Sequence, residues 1–284
     1  MFINGIHIPT VALWLAGAAL AMAAASWIAR RLALRTLSID GALLEADLLL
    51  TKGLEAYNAK DFTLARERYE RSLALYPRHR NHLAWAKGHH QMGNVYFEKR
   101  KFARAIRWHL KCVTICSKHG LRQVEASSWY WLGTIHQHRL AIEEAFEAYQ
   151  RSLVLARETG SRKEIANALW GMGVTRMFEG DFNESIRYLE QALEVERLPP
   201  ANLEGMFQCL SGILTIRVFM MDFAGADQAL LEMTTTAGAL GGAEYMKDLE
   251  AAAGFIREAR GWVTPFPVYA ALRNLRRETR ASPP

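Results

Sequence analysis

Two hydrophobic patterns divide the chain. From Ile8 to Ala29 the sequence IPTVALWLAGAALAMAAASWIA runs 22 residues without a charge. From Leu44 onward apolar residues recur instead at helical spacing, separated by short polar stretches such as AKD, KRK and EGD. The second pattern predicts amphipathic helices joined by tight turns.

The first pattern predicts a membrane span. At about 1.5 Å per residue, a helix over 8–29 covers the roughly 30 Å hydrocarbon core of a bilayer. Trp14 and Trp27 stand near its two ends, as interfacial anchors do, and Arg30, Arg31 and Arg35 follow it directly. A basic flank of this kind belongs on the cytoplasmic side, with everything after it. The expected location is therefore a membrane, the bacterial inner membrane by composition, with the N-terminus outside and the rest cytoplasmic. A signal peptide is the main rival, since AMAAAS offers small residues like a cleavage site. The leading MFINGIH, however, carries no lysine or arginine. A buried apolar helix that caps the following helices is the other rival.

Four glycines then set a register. Gly53, Gly93, Gly133 and Gly173 are 40 residues apart. Twelve positions after each stands a small residue: Ala65, Ala105, Ala145 and Ser185. Nine after each stands an apolar one: Phe62, Phe102, Ile142 and Phe182. A fixed period of this length describes stacked supersecondary units, each unable to bury its apolar face alone. Each unit reads as a helix, a polar turn and a second helix. A degenerate fifth unit, Met206 to Met233, keeps Phe223 and Ala226 but carries Leu214 where the glycine is expected, so its helices must meet differently. Pro199 and Pro200 precede it. A further helix over Glu244 to Arg260 closes the stack before TPFP (Thr264 to Pro267) breaks it.

Glycine and alanine at the helix contact, recurring in register from Leu44 to Glu196, resemble the tetratricopeptide repeat family. The usual unit of that family is about 34 residues. The longer unit here is similar to the extended repeats of kinesin light chains and of the Leu-Gly-Asn-rich polarity adaptors. The resemblance implies an all-α solenoid of antiparallel helix hairpins, a superhelix preceded here by the single transmembrane helix. It also implies that Pro77 ends its helix, and that the second helices of the other units, lacking this proline, run further. The expected organisation is an anchor over 1–30, a basic juxtamembrane linker over 31–43 and four repeats over 44–198. The degenerate unit and capping helix occupy 199–262, and a basic tail helix 263–284.

In this family the first helices line a concave groove that binds a peptide or helix of a protein partner. Transferred by resemblance, the groove positions three before each glycine are Leu50, His90, Tyr130 and Trp170. One after it come Leu54, Asn94, Thr134 and Val174. Four and five after it come Tyr57 and Asn58, Phe97 and Glu98, Gln137 and His138, Met177 and Phe178. An aromatic floor of this kind suits apolar anchors of a bound segment. The family's carboxylate clamp of lysine, asparagine and arginine has only Lys87 and Asn94 as candidates, so a chaperone-tail clamp is not expected.

Charge and chemistry change the picture little. Lysine and arginine number 35 against 29 acidic residues, a net +6 concentrated partly in short runs near the ends. Arg273, Arg276, Arg277 and Arg280 offer anionic lipid or nucleic acid a contact, but without the interleaved aromatics of a single-strand binder. A solvated helix end is the preferred reading, and nucleic acid is not an expected partner. Three cysteines, Cys112, Cys116 and Cys209, do not make a disulfide framework, and buried reduced thiols are expected. His89 with His90, and His136 with His138, lack the i, i+3 or i+4 spacing that lets two ligands share a helix face. No phosphate loop or nucleophile elbow is present. The expected protein is a membrane-anchored scaffold or adaptor with no cofactor, no metal and no enzymatic activity. A peptide-sensing regulator is the alternative. Neither the partner nor the oligomeric state follows from these residues.

Overall fold

The computed structural model describes residues 2–3, 6–7, 26–28, 30–31, 41–79 and 81–261. The expected span Ile8–Ala29, including Trp14, lies outside these residues except for 26–28. So do Arg35, most of the linker over 31–43 and the tail over 263–284. Among the described residues no helix is long and apolar enough to cross a membrane. Among the described residues every element is helical apart from a two-residue antiparallel pairing of Phe2–Ile3 with Ile6–His7.

The chain divides into two compact units, Met1–Ala84 and Trp85–Pro284. The first holds α1, over residues 41–58, and α2, Phe62–His79. In the second, α3 (His82–Glu98, from Trp85 on) and α4 (Phe102–His119) are followed by α5 (Arg122–His138) and α6 (Ile142–Thr159). Then come α7 (Arg162–Glu179), α8 (Phe182–Arg197), α9 (Leu203–Phe219), α10 (Phe223–Leu240) and α11 (Ala243–Ala259). One expectation is corrected here: α2 runs past Pro77 to His79. A proline so near a helix end removes only one backbone donor in the final turn.

Each hairpin closes through its glycine. The side chain 16 residues further on lies flat on it: Tyr69 on Gly53, His109 on Gly93, Tyr149 on Gly133 and Leu189 on Gly173. A Cβ added at Gly133 would stand 2.7 Å from the Tyr149 ring, and one at Gly173 would stand 2.9 Å from Leu189. The small residues Ala65, Ala105, Ala145 and Ser185 are fully buried. Their size lets the two backbones approach. A repeated brace reinforces the contact. Ser72 donates to the Ala46 carbonyl at 2.8 Å and Ser152 to that of Ala126 at 2.8 Å. Cys112 takes the same role toward Ala86 at 3.2 Å, a thiol in a serine's place.

The turns repeat as well. Between the first and second helices one residue adopts the left-handed conformation. Lys60, Arg100, Leu140 and Met221 do so as non-glycines, and Gly180 fills the equivalent place in the fourth hairpin. Between hairpins, Gly120, Gly160 and Gly241 end α4, α6 and α10 in the same left-handed region. Asp181, Asn202 and Asp222 cap the following helices through side-chain oxygens, at Glu184, Gly205 and Gly225. The fifth hairpin departs from the pattern as expected. Leu214 is buried at the packing-glycine position, while Gly212, two residues earlier, meets Leu189 of the preceding hairpin, whose Cδ1 would lie 3.0 Å from an added Cβ, as Gly171 meets Tyr149.

Candidate functional site

The first helices α5, α7, α9 and α11 touch one another in succession, so they form a continuous face of the second unit. That face changes character along its length. The controlling position lies two residues before the packing glycine, where the side chain from the preceding second helix arrives. In α5 this position is Trp131, which stacks on His109 with ring centroids 6.3 Å apart and planes 4° from parallel. In α7 it is Gly171, which takes the Tyr149 ring, and in α9 it is Gly212, which takes Leu189. The indole over the imidazole fills the face in α5 and the Tyr149 ring fills it over Gly171, whereas over Gly212 only the end of Leu189 reaches and the face stays open.

The α3–α5 part is consequently closed. Phe97 packs on Trp131 and on His138, with centroids 5.3 and 5.1 Å away. His90 Nδ1 lies 3.0 Å from Ser128 Oγ, which donates to Cys112 Sγ. Asn94 is only 6% exposed and donates to Gln91. Tyr149 donates to Gln137 at 2.8 Å, with Thr134 at 3.3 Å, and Tyr130 leans on the same ring. Among the described residues neither nitrogen of the fully buried His109 meets a hydrogen-bond partner. Burial therefore holds its pKa well below the ordinary histidine value, and lowers that of His90 to about 4.

The α7–α11 part is open. A cavity of about 520 Å³ lies between α7, α9 and α11, with Leu189 of α8 beneath. Trp170, Val174 and Met177, all candidate groove residues, line it, facing Phe207 and Ile216 of α9. Its polar rim comprises Glu204, Gln208, Ser211, Thr215, Tyr245 and Asp248. Tyr245 donates to Glu204 at 3.3 Å. No lysine or arginine lines the cavity.

The expected groove residues thus fall into three groups. Trp170, Val174 and Met177 come together around the cavity. His90, Asn94, Phe97, Tyr130, Thr134, Gln137 and His138 come together in the α3–α5 part, with Asn94 buried, His138 exposed and the others half-buried. Lys87 is exposed and Phe178 half-buried, neither lining the cavity, while Tyr57 belongs to the first unit, where it packs edge-on to Phe62. The residues of α9 and α11 were missed. Ser211 and Thr215 nevertheless occupy the same register relative to Leu214 as Trp170 and Val174 do relative to Gly173. Extending the register through the substituted glycine would have found them.

No three histidine, cysteine, aspartate or glutamate side chains converge for a metal among the described residues. Cys112, Cys116 and Cys209 are free and buried, and burial pushes the Cys209 thiol up to about 12.

Residues 124–197, from α5 through α8, match the family model of the tetratricopeptide repeat. No curated protein matches the chain by sequence. Its fold is similar to that of aspartyl phosphate phosphatase F from Bacillus subtilis, at 12% identity and a TM-score of 0.68, over 87% of this chain and 73% of that one. It is similar to a Rap protein complexed with Competence and Sporulation Factor, at 16% identity and a TM-score of 0.64, over 84% and 69% of the two chains. It is also similar to BtubC (BKLC) from P. vanneervenii, at 15% identity and a TM-score of 0.61, over 72% and 91%. At these identities the likeness is one of fold. Residues 124–197 thus carry the tetratricopeptide repeat, within a chain whose fold is like that of these structures.

Proposed function

We propose that this chain is an adaptor that captures a peptide or helix of a protein partner in the cavity between α7, α9 and α11. The carrying observation is the cavity itself, an open apolar floor under a polar rim on the face built from first helices. Its size and lining suit side-chain anchors of a bound segment. In the same proposal residues 8–29 hold the chain at a membrane, with Arg30, Arg31 and Arg35 on the cytoplasmic side. The uncharged length of that segment and its basic flank support this reading.

A photocrosslinking residue at Val174, inside the cavity, tests the groove in cells against one at Val154, which is 58% exposed on α6. The expected result is a discrete crosslinked product from position 174 that Gln208→Trp, an uncharged filling of the cavity, abolishes. Equal products from both positions, or no effect of Gln208→Trp, refutes the assignment. For the anchor, a periplasm-active phosphatase fused after Pro284 should be inactive, and activity there reverses the orientation. A regulatory role is the second reading, favoured by the similarity to a Rap protein complexed with Competence and Sporulation Factor. It requires the α5–α11 spacing to change on binding, which paired spin labels on those helices would read.

A further inference from the structure

Deepening the adaptor reading, and resting on it, we infer that the cavity selects a cationic segment: a peptide with an aliphatic or aromatic anchor and arginine or lysine beside it. Two of the lining side chains are carboxylates, Glu204 on α9 and Asp248 on α11, and none is basic. Elsewhere in the second unit several acidic groups are paired with arginine: Arg176 with Glu179, Arg187 with Glu184, Arg217 with Asp222 and Arg260 with Asp227. Among the described residues Glu204 and Asp248 enter no ion pair, and Glu204 accepts only the Tyr245 hydroxyl at 3.3 Å. Two negative charges thus face an apolar floor with no cation beside them. A bound cation would complete both, and the low-dielectric walls of Phe207 and Trp170 would strengthen its attraction over that at an open surface. A bound anion would meet two uncompensated like charges, which is how such a cavity rejects the wrong partner.

The test uses the full chain in detergent and two short fluorescein-labelled peptides of equal length. One alternates leucine and tryptophan with arginine, and the other carries glutamate in place of arginine. Fluorescence anisotropy should show saturable binding of the arginine peptide only, weakened about tenfold or more by Glu204→Gln with Asp248→Asn. Gln208→Arg should weaken it too. That position is exposed, one helical turn from Glu204, and its guanidinium would supply the missing cation in place. Glu67→Gln with Glu250→Gln, the same charge change at exposed positions outside the cavity, should have no effect. Circular dichroism of each variant should match the parent, since all of the altered side chains are exposed.

Equal loss in both double variants, or failure of the arginine peptide to bind, overturns the inference. So does tighter binding when Arg273, Arg276, Arg277 and Arg280 are changed to glutamine, because the chain's own basic segment would then be the occupant. Binding of the glutamate peptide that Gln208→Trp abolishes overturns the charge selection but leaves the adaptor reading standing. No crosslink from Val174 and no peptide of either charge bound would remove both.

Discussion

The two parts of the first-helix face share one register and differ most in what fills the position two residues before the packing-glycine site. Trp131 covers His109 in the α3–α5 part, while Gly212 stands opposite Leu189 in the α7–α11 part. The first produces a closed layer with a buried, unpartnered imidazole, and the second an open cavity of about 520 Å³. A repeat array therefore does not present a uniform groove. Second-helix and first-helix residues trade volume between neighbouring hairpins: the Tyr149 ring takes the space over Gly171, whereas over Gly212 only the end of Leu189 reaches and the cavity stays open.

Trp131→Ala should break the comparison most. It removes an indole that packs on His109, Phe97 and Tyr130, and should cost about 3 kcal/mol in urea unfolding. It should also let water reach His109, so that its imidazole, followed by NMR, titrates closer to the ordinary value. An unchanged titration would mean that Trp131 is not what keeps the ring dry.

The second test is acidity. An unfolded histidine takes its proton near 6.5, whereas in the folded chain His90 takes one only at about 4 and His109 is lowered well below the ordinary value. The neutral rings thus contribute stability that is present above pH ~6.5 and lost as pH falls toward 4. Each contributes a slope of up to ~1.4 kcal/mol per pH unit. His109→Leu, which imitates Leu189 of the open part, should remove its share of that slope when unfolding midpoints are compared at pH 7 and pH 5. A slope equal to the parent's would show that His109 is not the group responsible.

Smaller effects belong to the turns. Gly180→Ala in the α7–α8 turn, at φ 83°, should destabilise by ~1 kcal/mol, since a side chain there meets left-handed strain. The reciprocal Arg100→Gly in the α3–α4 turn, at φ 52°, should stabilise by a few tenths to ~1 kcal/mol. Thermal midpoints moving the same way in both variants would sink this account of the turn. Gly212→Ala should have the smallest effect, below ~1 kcal/mol, because its Cβ meets only the flexible end of Leu189 at 3.0 Å. Gly171→Ala, at 2.5 Å from the rigid Tyr149 ring, should cost distinctly more.

Much of the fold was legible because its contacts are local. Gly133 with Tyr149, Ala126 with Ser152 and the left-handed Leu140 all lie within one hairpin, so a fixed spacing along the chain fixes them in space. Trp170, Val174 and Met177, placed on one face by the register that the family resemblance supplied, come together around one cavity. Glu204, Ser211, Thr215 and Asp248 were obscured where Leu214 interrupts the glycine register. Asn94, placed in the groove by its register, is packed away by its neighbours, which the register alone does not report.

The sequence by itself determined the helical hairpins, their period, their packing glycines and the order in which they stack, since each depends on residues close together in the chain. Only the tertiary structure decided where the face is open and where it is charged. Whether Trp131 or Gly212 faces a second helix matters only through the side chain that the preceding hairpin brings to it. Likewise, Glu204 of α9 and Asp248 of α11 come to line one cavity only when the two helices pack. Both outcomes are sums over side chains from different hairpins, and no spacing along the chain encodes them.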